Sequence, residues 1–78
     1  MPKKLYLYES HTGGFFIKDR RLTPEEEYCE TCNDSDWLML ETDNLEDVAE
    51  FFRENKDYRY PVRYIHDIYK ECEEFFAE

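Results

Sequence analysis

Cys29 and Cys32, separated by two residues, are the first side chains here whose type and spacing imply chemistry. Two thiolates at that spacing on a tight loop can supply half of a tetrahedral zinc site. Asn33, directly after them, tolerates the left-handed backbone such a loop needs. The other ligands must come from His11, His66, Cys72 or a carboxylate. On one helix His66 and Cys72 would lie about 240° apart around the axis, so they cannot share an ion. The expected set is therefore Cys29, Cys32 and His11 with one further group, His11 standing in a turn beside Gly13 and Gly14. A redox role is disfavoured, because Glu26, Glu27, Glu30 and Asp34 crowd the thiols and oppose thiolate formation. The alternative is a pair of small half-buried thiols in a turn. Cys72 reads as a core thiol on an apolar helix face, His66 as a solvated residue among polar positions.

Catalysis finds less support. Carboxylates abound, but spacing singles out no acid–base pair. Phosphate loops and nucleophile elbows are absent from the sequence. A chain of 78 residues also has little room for a pocket that excludes water. The sequence reads as a binding protein, not an enzyme.

Charge narrows the partners. The net charge is −10, and it is concentrated. Between Leu22 and Phe52 there are eleven acids and no Lys or Arg, whereas the rest of the chain has nine acids and ten bases. Direct binding to DNA or RNA is disfavoured, since that affinity comes from neutralising phosphates with basic side chains. Anionic membrane surfaces are disfavoured for the same reason. A solvated face is the plain reading of such a block. Mixed charges would serve solubility as well, however, and self-repulsion destabilises a small domain. An uninterrupted anionic face can instead dock in a basic groove. The residues to carry it are Glu25, Glu26, Glu27, Glu30, Asp34, Asp36, Glu46, Asp47 and Glu50, with Tyr28 and Trp37 as aromatic anchors.

The elements that position these groups follow from periodicity. Leu5 and Leu7 alternate with Tyr6 and Tyr8 from Lys3 to Glu9, a strand pattern. The Gly13-Gly14 turn returns the chain into Phe15-Phe16-Ile17-Lys18, completing a hairpin. Thr23-Pro24-Glu25-Glu26 is a capping box that starts a short helix, and Cys29 to Asp36 is turn chemistry. Trp37 to Glu41 is a third strand, apolar on both faces and so placed centrally or under helices. Asp43 is expected to cap a helix from about Leu45 to Asn55, with Leu45, Val48, Ala49, Phe51 and Phe52 inward. Tyr58-Arg59-Tyr60 is a connector or brief edge strand. Pro61 opens a last helix burying Ile65, Ile68, Tyr69, Cys72, Phe75 and Phe76. The predicted fold is one α+β domain over residues 1–78, a small three-stranded antiparallel sheet packed by two helices, with a short helical turn before the third strand. An odd cysteine count and no signal-like or membrane-spanning run point to the cytoplasm.

The stretch Leu5-Tyr6-Leu7-Tyr8-Glu9-Ser10-His11-Thr12-Gly13-Gly14-Phe15-Phe16, with Tyr28-Cys29-Glu30-Thr31-Cys32-Asn33-Asp34-Ser35-Asp36-Trp37, resembles small uncharacterised acidic proteins of Gram-positive bacteria and their phages. The likeness covers the first half of the chain; in that group Gly often follows the second cysteine, where Asn33 stands here. The resemblance implies a setting of phages and mobile elements, where small acidic proteins often inhibit nucleic-acid machinery. With the acid block, the leading expectation is an anti-CRISPR or anti-restriction-like inhibitor that binds a host nucleic-acid-binding protein through an acidic, nucleic-acid-mimicking face. The alternatives are a zinc-binding structural or adaptor module organised by Cys29 and Cys32, and a homo-oligomeric structural protein joined by surplus aromatics.

Overall fold

The computed structural model describes residues 3–55 and 60–77. Its elements run β1 (Leu5–Glu9), β2 (Phe15–Lys18), α1 (Pro24–Glu27), β3 (Tyr28–Cys29), β4 (Asp34–Ser35), β5 (Trp37–Thr42), α2 (Leu45–Glu54) and α3 (Val62–Ala77). The α+β expectation holds: a three-stranded antiparallel sheet of order β2-β1-β5 carries the two longer helices. Of the expected connector, Tyr58 and Arg59 lie outside the described residues.

In the first hairpin Leu7 lies opposite Ile17 and Tyr8 opposite Phe16. Its turn closes through Gly13 N–H to Ser10 O at 3.0 Å and Ser10 N–H to Gly14 O at 2.8 Å. Gly14, at φ +89, is required twice over, since a Cβ there would also stand 2.7 Å from Tyr64 Oη.

Side chains alternate across a strand, so β1 sends Leu5 and Leu7 to one face and Tyr6 and Tyr8 to the other. The first face meets α2 and α3 in a core of Leu5, Leu7, Val48, Ile68 and Cys72. Burying each large aliphatic side chain contributes about 1.5–3 kcal/mol. The second face is covered by the segment leading into α1. There Tyr8 is fully buried, stacks on Phe16 at 5.3 Å, and accepts the Leu22 N–H at 2.9 Å. The sheet is thus covered on both sides, by helices on one and by an irregular strap on the other.

Three expectations need correction. Of the two placements expected for the third strand, β5 lies under a helix, with Leu40 against the core that includes Val48 of α2, and not at the centre of the sheet: it is an edge strand and β1 is central. Trp37 and Met39 are 64% and 39% exposed; Trp37 lies opposite Glu9 at the strand end, and a register shift between Leu7 and Tyr8 leaves Met39 unpaired. The cap of α2 is Asn44, not Asp43: Asn44 Oδ1 accepts the Asp47 N–H at 2.9 Å. Buried Thr42 fixes that register by accepting the Asn44 N–H at 3.1 Å and donating to Asp47 Oδ2 at 2.6 Å. Finally, the turn from Cys29 to Asp36 contains its own antiparallel pair, Tyr28 opposite Ser35 and Cys29 opposite Asp34. Strands this short give no periodic signal.

Candidate metal centre

Three turns or strand ends meet at one end of the sheet. Asp36 immediately precedes β5, whose first residue, Trp37, lies opposite Glu9 at the end of β1. Two residues past Glu9, His11 sits in the first hairpin turn. The β3–β4 hairpin is tied to the same place by the Asp36 N–H, which donates to Glu27 O at 2.8 Å. Asn33 turns that hairpin in the left-handed region, at φ +54.

This topology gathers His11, Cys29 and Cys32, whose ligand atoms all lie within 4.8 Å of one another. A tetrahedral zinc ion, with bonds of about 2.3 Å to sulfur and 2.0 Å to nitrogen, holds its donors roughly 3.5–3.8 Å apart. Closure by about 1 Å brings the three to that geometry. The expected further ligand does not join them: among the described residues no fourth His, Cys, Asp or Glu completes the group. Among the described residues, the group therefore offers three ligand atoms for an ion that takes four.

The histidine is oriented. Asp36 Oδ1 accepts the His11 N–H at 3.0 Å and pairs with Nδ1 at 2.6 Å. With Nδ1 engaged, Nε2 is the nitrogen left for a metal. The pair is largely shielded, at 17% and 14% side-chain exposure. The hydrogen bond to Asp36 raises the His11 pKa, outweighing partial desolvation, with the charges of Asp36 and Cys29 adding to it.

The two thiols differ. Cys29, half-buried, has its pKa lowered first by the Cys32 backbone N–H, then by the Cys32 thiol, the Thr31 backbone N–H and His11. Cys32, exposed, has its pKa raised, first by donating its proton to Cys29, then by partial desolvation and the charges of Cys29 and Asp34. Crowding acids were expected to oppose thiolate at both positions. At Cys29 the shift runs the other way, because the backbone amides of Cys32 and Thr31, the Cys32 thiol and His11 favour its thiolate.

The acids expected on a partner face are spread over α1, the β3–β4 hairpin and α2. Glu26 accepts from both terminal guanidinium nitrogens of Arg20 and closes the capping box with Thr23, which together lower its pKa to about 2. Asp36 is held by His11, and Asp47 by Thr42 and Asn44. Glu25, Glu30 and Asp34 are exposed on α1 and the β3–β4 hairpin, with Glu27 half-buried and Tyr28 46% exposed beside them. Glu46 and Glu50 are exposed on α2, which covers the opposite face of the sheet.

Sequence reasoning missed the role of Asp36, grouping it with the acids. Its link to His11 depends on β5 pairing with β1, which no local pattern states. No family model, curated protein or solved structure matches the chain.

Proposed function

We propose that the protein is a small zinc-binding module in which His11, Cys29 and Cys32 hold one ion and the metal serves structure and recognition rather than catalysis. The observation that carries this reading is the convergence of those three ligand atoms within 4.8 Å while Asp36 occupies Nδ1 of His11. An oriented histidine with a carboxylate behind it is the usual support of a zinc ligand. The amides of Cys32 and Thr31 favour the thiolate at Cys29, the first of the two sulfurs a metal would take. The ion would join the first hairpin turn to the β3–β4 hairpin. Zinc supplies a fixed tetrahedral joint there, and binding energy to the metal becomes folding energy.

The test is zinc content and its consequence for stability. One equivalent of zinc in purified protein, and a melting temperature that falls on chelation, is the expected result. Protein that binds no zinc from a buffered supply, with melting indifferent to chelator, excludes the reading.

A second reading is favoured by exposed Tyr28 lying among Glu25, Glu30 and Asp34. It makes the α1 and β3–β4 surface an acidic docking face for a basic, nucleic-acid-binding host protein, as an inhibitor would have. Glu25→Lys, Glu30→Lys and Asp34→Lys together should abolish capture of such a partner from host lysate. Unchanged capture rules out that surface.

A further inference from the structure

The two edges of the sheet are finished differently. At β2, the Phe15 N–H donates to Tyr64 Oη at 2.7 Å and the neighbouring Gly14 N–H to Tyr60 Oη at 2.8 Å. Tyrosines from α3 and its approach therefore cap the turn end of that edge. At β5, only β1 is hydrogen-bonded to the strand among the described residues. A six-residue edge strand with an open row of amides and carbonyls is a template for another extended chain.

Beside that edge runs a groove of about 190 Å³ between β5 and α2. Its apolar floor is Leu40 and Phe51, and its walls carry Asp47, Glu50 and Glu54. Asp47 is engaged by Thr42 and Asn44, but Glu50 and Glu54 are exposed, and no base lies between Leu22 and Phe52. At the other end of the strand, Trp37 is 64% exposed, and Met39 at the register shift 39%. Apolar floor, carboxylate wall, open edge and aromatic anchor all lie along one strand.

We propose that β5 and this groove form a docking site for a basic, extended peptide segment of a partner protein. The segment adds as a strand to the free edge of β5. Only alternate side chains, those on the α2 side, meet the groove: aliphatic ones among them rest on Leu40 and Phe51, and Lys or Arg among them reach Glu50 and Glu54. Trp37 packs on the end of the added strand. Charge decides the occupant. A second copy would bring −10 against −10. A basic segment is attracted by the same charge. The proposal does not depend on the metal, since none of its residues is a ligand.

The probe is a labelled peptide of about eight residues with Thr at every second position and Lys and Val taking turns between them, long enough to span one strand. Its affinity for the full chain is read by fluorescence anisotropy, and β5 amides by hydrogen exchange. A block peptide of the same composition is the control. The expected result is binding that protects amides of residues 38–42, weakens with salt, exceeds that of the block peptide, and falls roughly tenfold with Glu50→Lys and Glu54→Lys together. Trp37→Ala should weaken it as well. These are exposed positions, so the variants keep the fold, which unchanged melting verifies. Binding that is equal for the block peptide, or that leaves β5 unprotected, overturns the proposal. So does a β5-mediated dimer in the absence of peptide.

Discussion

One carboxylate oxygen, Asp36 Oδ1, serves both the backbone N–H of His11, at 3.0 Å, and its ring Nδ1, at 2.6 Å. The backbone bond fixes where the residue sits, and the ring bond fixes which nitrogen turns toward Cys29 and Cys32. A turn histidine otherwise has two free side-chain torsions and no reason to face the sulfurs. Asp36 is thus a positioning residue for the proposed centre.

Asp36→Asn should lower zinc affinity by about 10–100-fold, the usual effect of removing the carboxylate behind a zinc-bound imidazole. Competition with a chromophoric chelator measures it. Melting of the metal-free variant separates loss of the ligand's orientation from loss of the fold. Affinity equal to that of the parent would mean that His11 is not a ligand.

Thiol reactivity should order the three cysteines. In metal-free protein at neutral pH, Cys29 should be alkylated before Cys32, because thiolate fraction controls the rate and only Cys29 has a lowered pKa. Cys72, buried and pushed up to about 11 mainly by desolvation, should react only on unfolding. Added zinc should protect Cys29 and Cys32 together. Peptide mapping by mass spectrometry reads all three, and preferential labelling of Cys32 would contradict the assigned order.

Two ion pairs should respond to pH in opposite senses in metal-free protein. The pKa of Glu26 is depressed from 4.5 to about 2, chiefly by Arg20. Its contribution is present above 4.5 and is lost as pH falls toward 2. The pKa of His11 is raised from 6.5 by Asp36, so its contribution is complete below 6.5 and lost as pH rises through the elevated value. Melting curves with chelator present should show Glu26→Gln converging with the parent in acid, and His11→Ala converging with it in alkali. Parallel curves across the range would show that neither pair is linked to folding.

The core should be sensitive to single truncations. Leu7→Ala and Val48→Ala remove side chains that are fully buried where the central strand meets α2. For Leu7→Ala the cost should be about 2–5 kcal/mol, transfer and cavity together, and less for the smaller valine. Chemical denaturation gives the values. Gly14→Ala should destabilise by a different route, through its positive φ and the approach of Tyr64 Oη.

The sequence carried the fold where signals were local. The hairpin, the capping box at Thr23 and the helix stripes of Val48, Ile68 and Cys72 each follow from periodicity or turn chemistry, and each is found. The edge position of β5 was not legible, because an apolar strand reads alike whether a sheet or another molecule covers it. The offset from Asp43 to Asn44 arose since both residues can cap, and only buried Thr42 distinguishes them. At the site, Cys29, Cys32 and His11 could be named together from residue type alone. Asp36 could not, since what makes it more than one acid among eleven is a long-range strand pairing.

The central claim is that His11, Cys29 and Cys32 bind one metal ion through one nitrogen and two sulfurs. Cobalt(II) substitution followed by optical absorption tests it most directly. The account predicts one bound cobalt, the visible bands of a tetrahedral ion and the near-ultraviolet charge transfer of two thiolates, diminished in Cys29→Ser and Cys32→Ser and altered in His11→Ala. Cobalt that stays in the weakly coloured six-coordinate form, or a spectrum unchanged by His11→Ala, would contradict it.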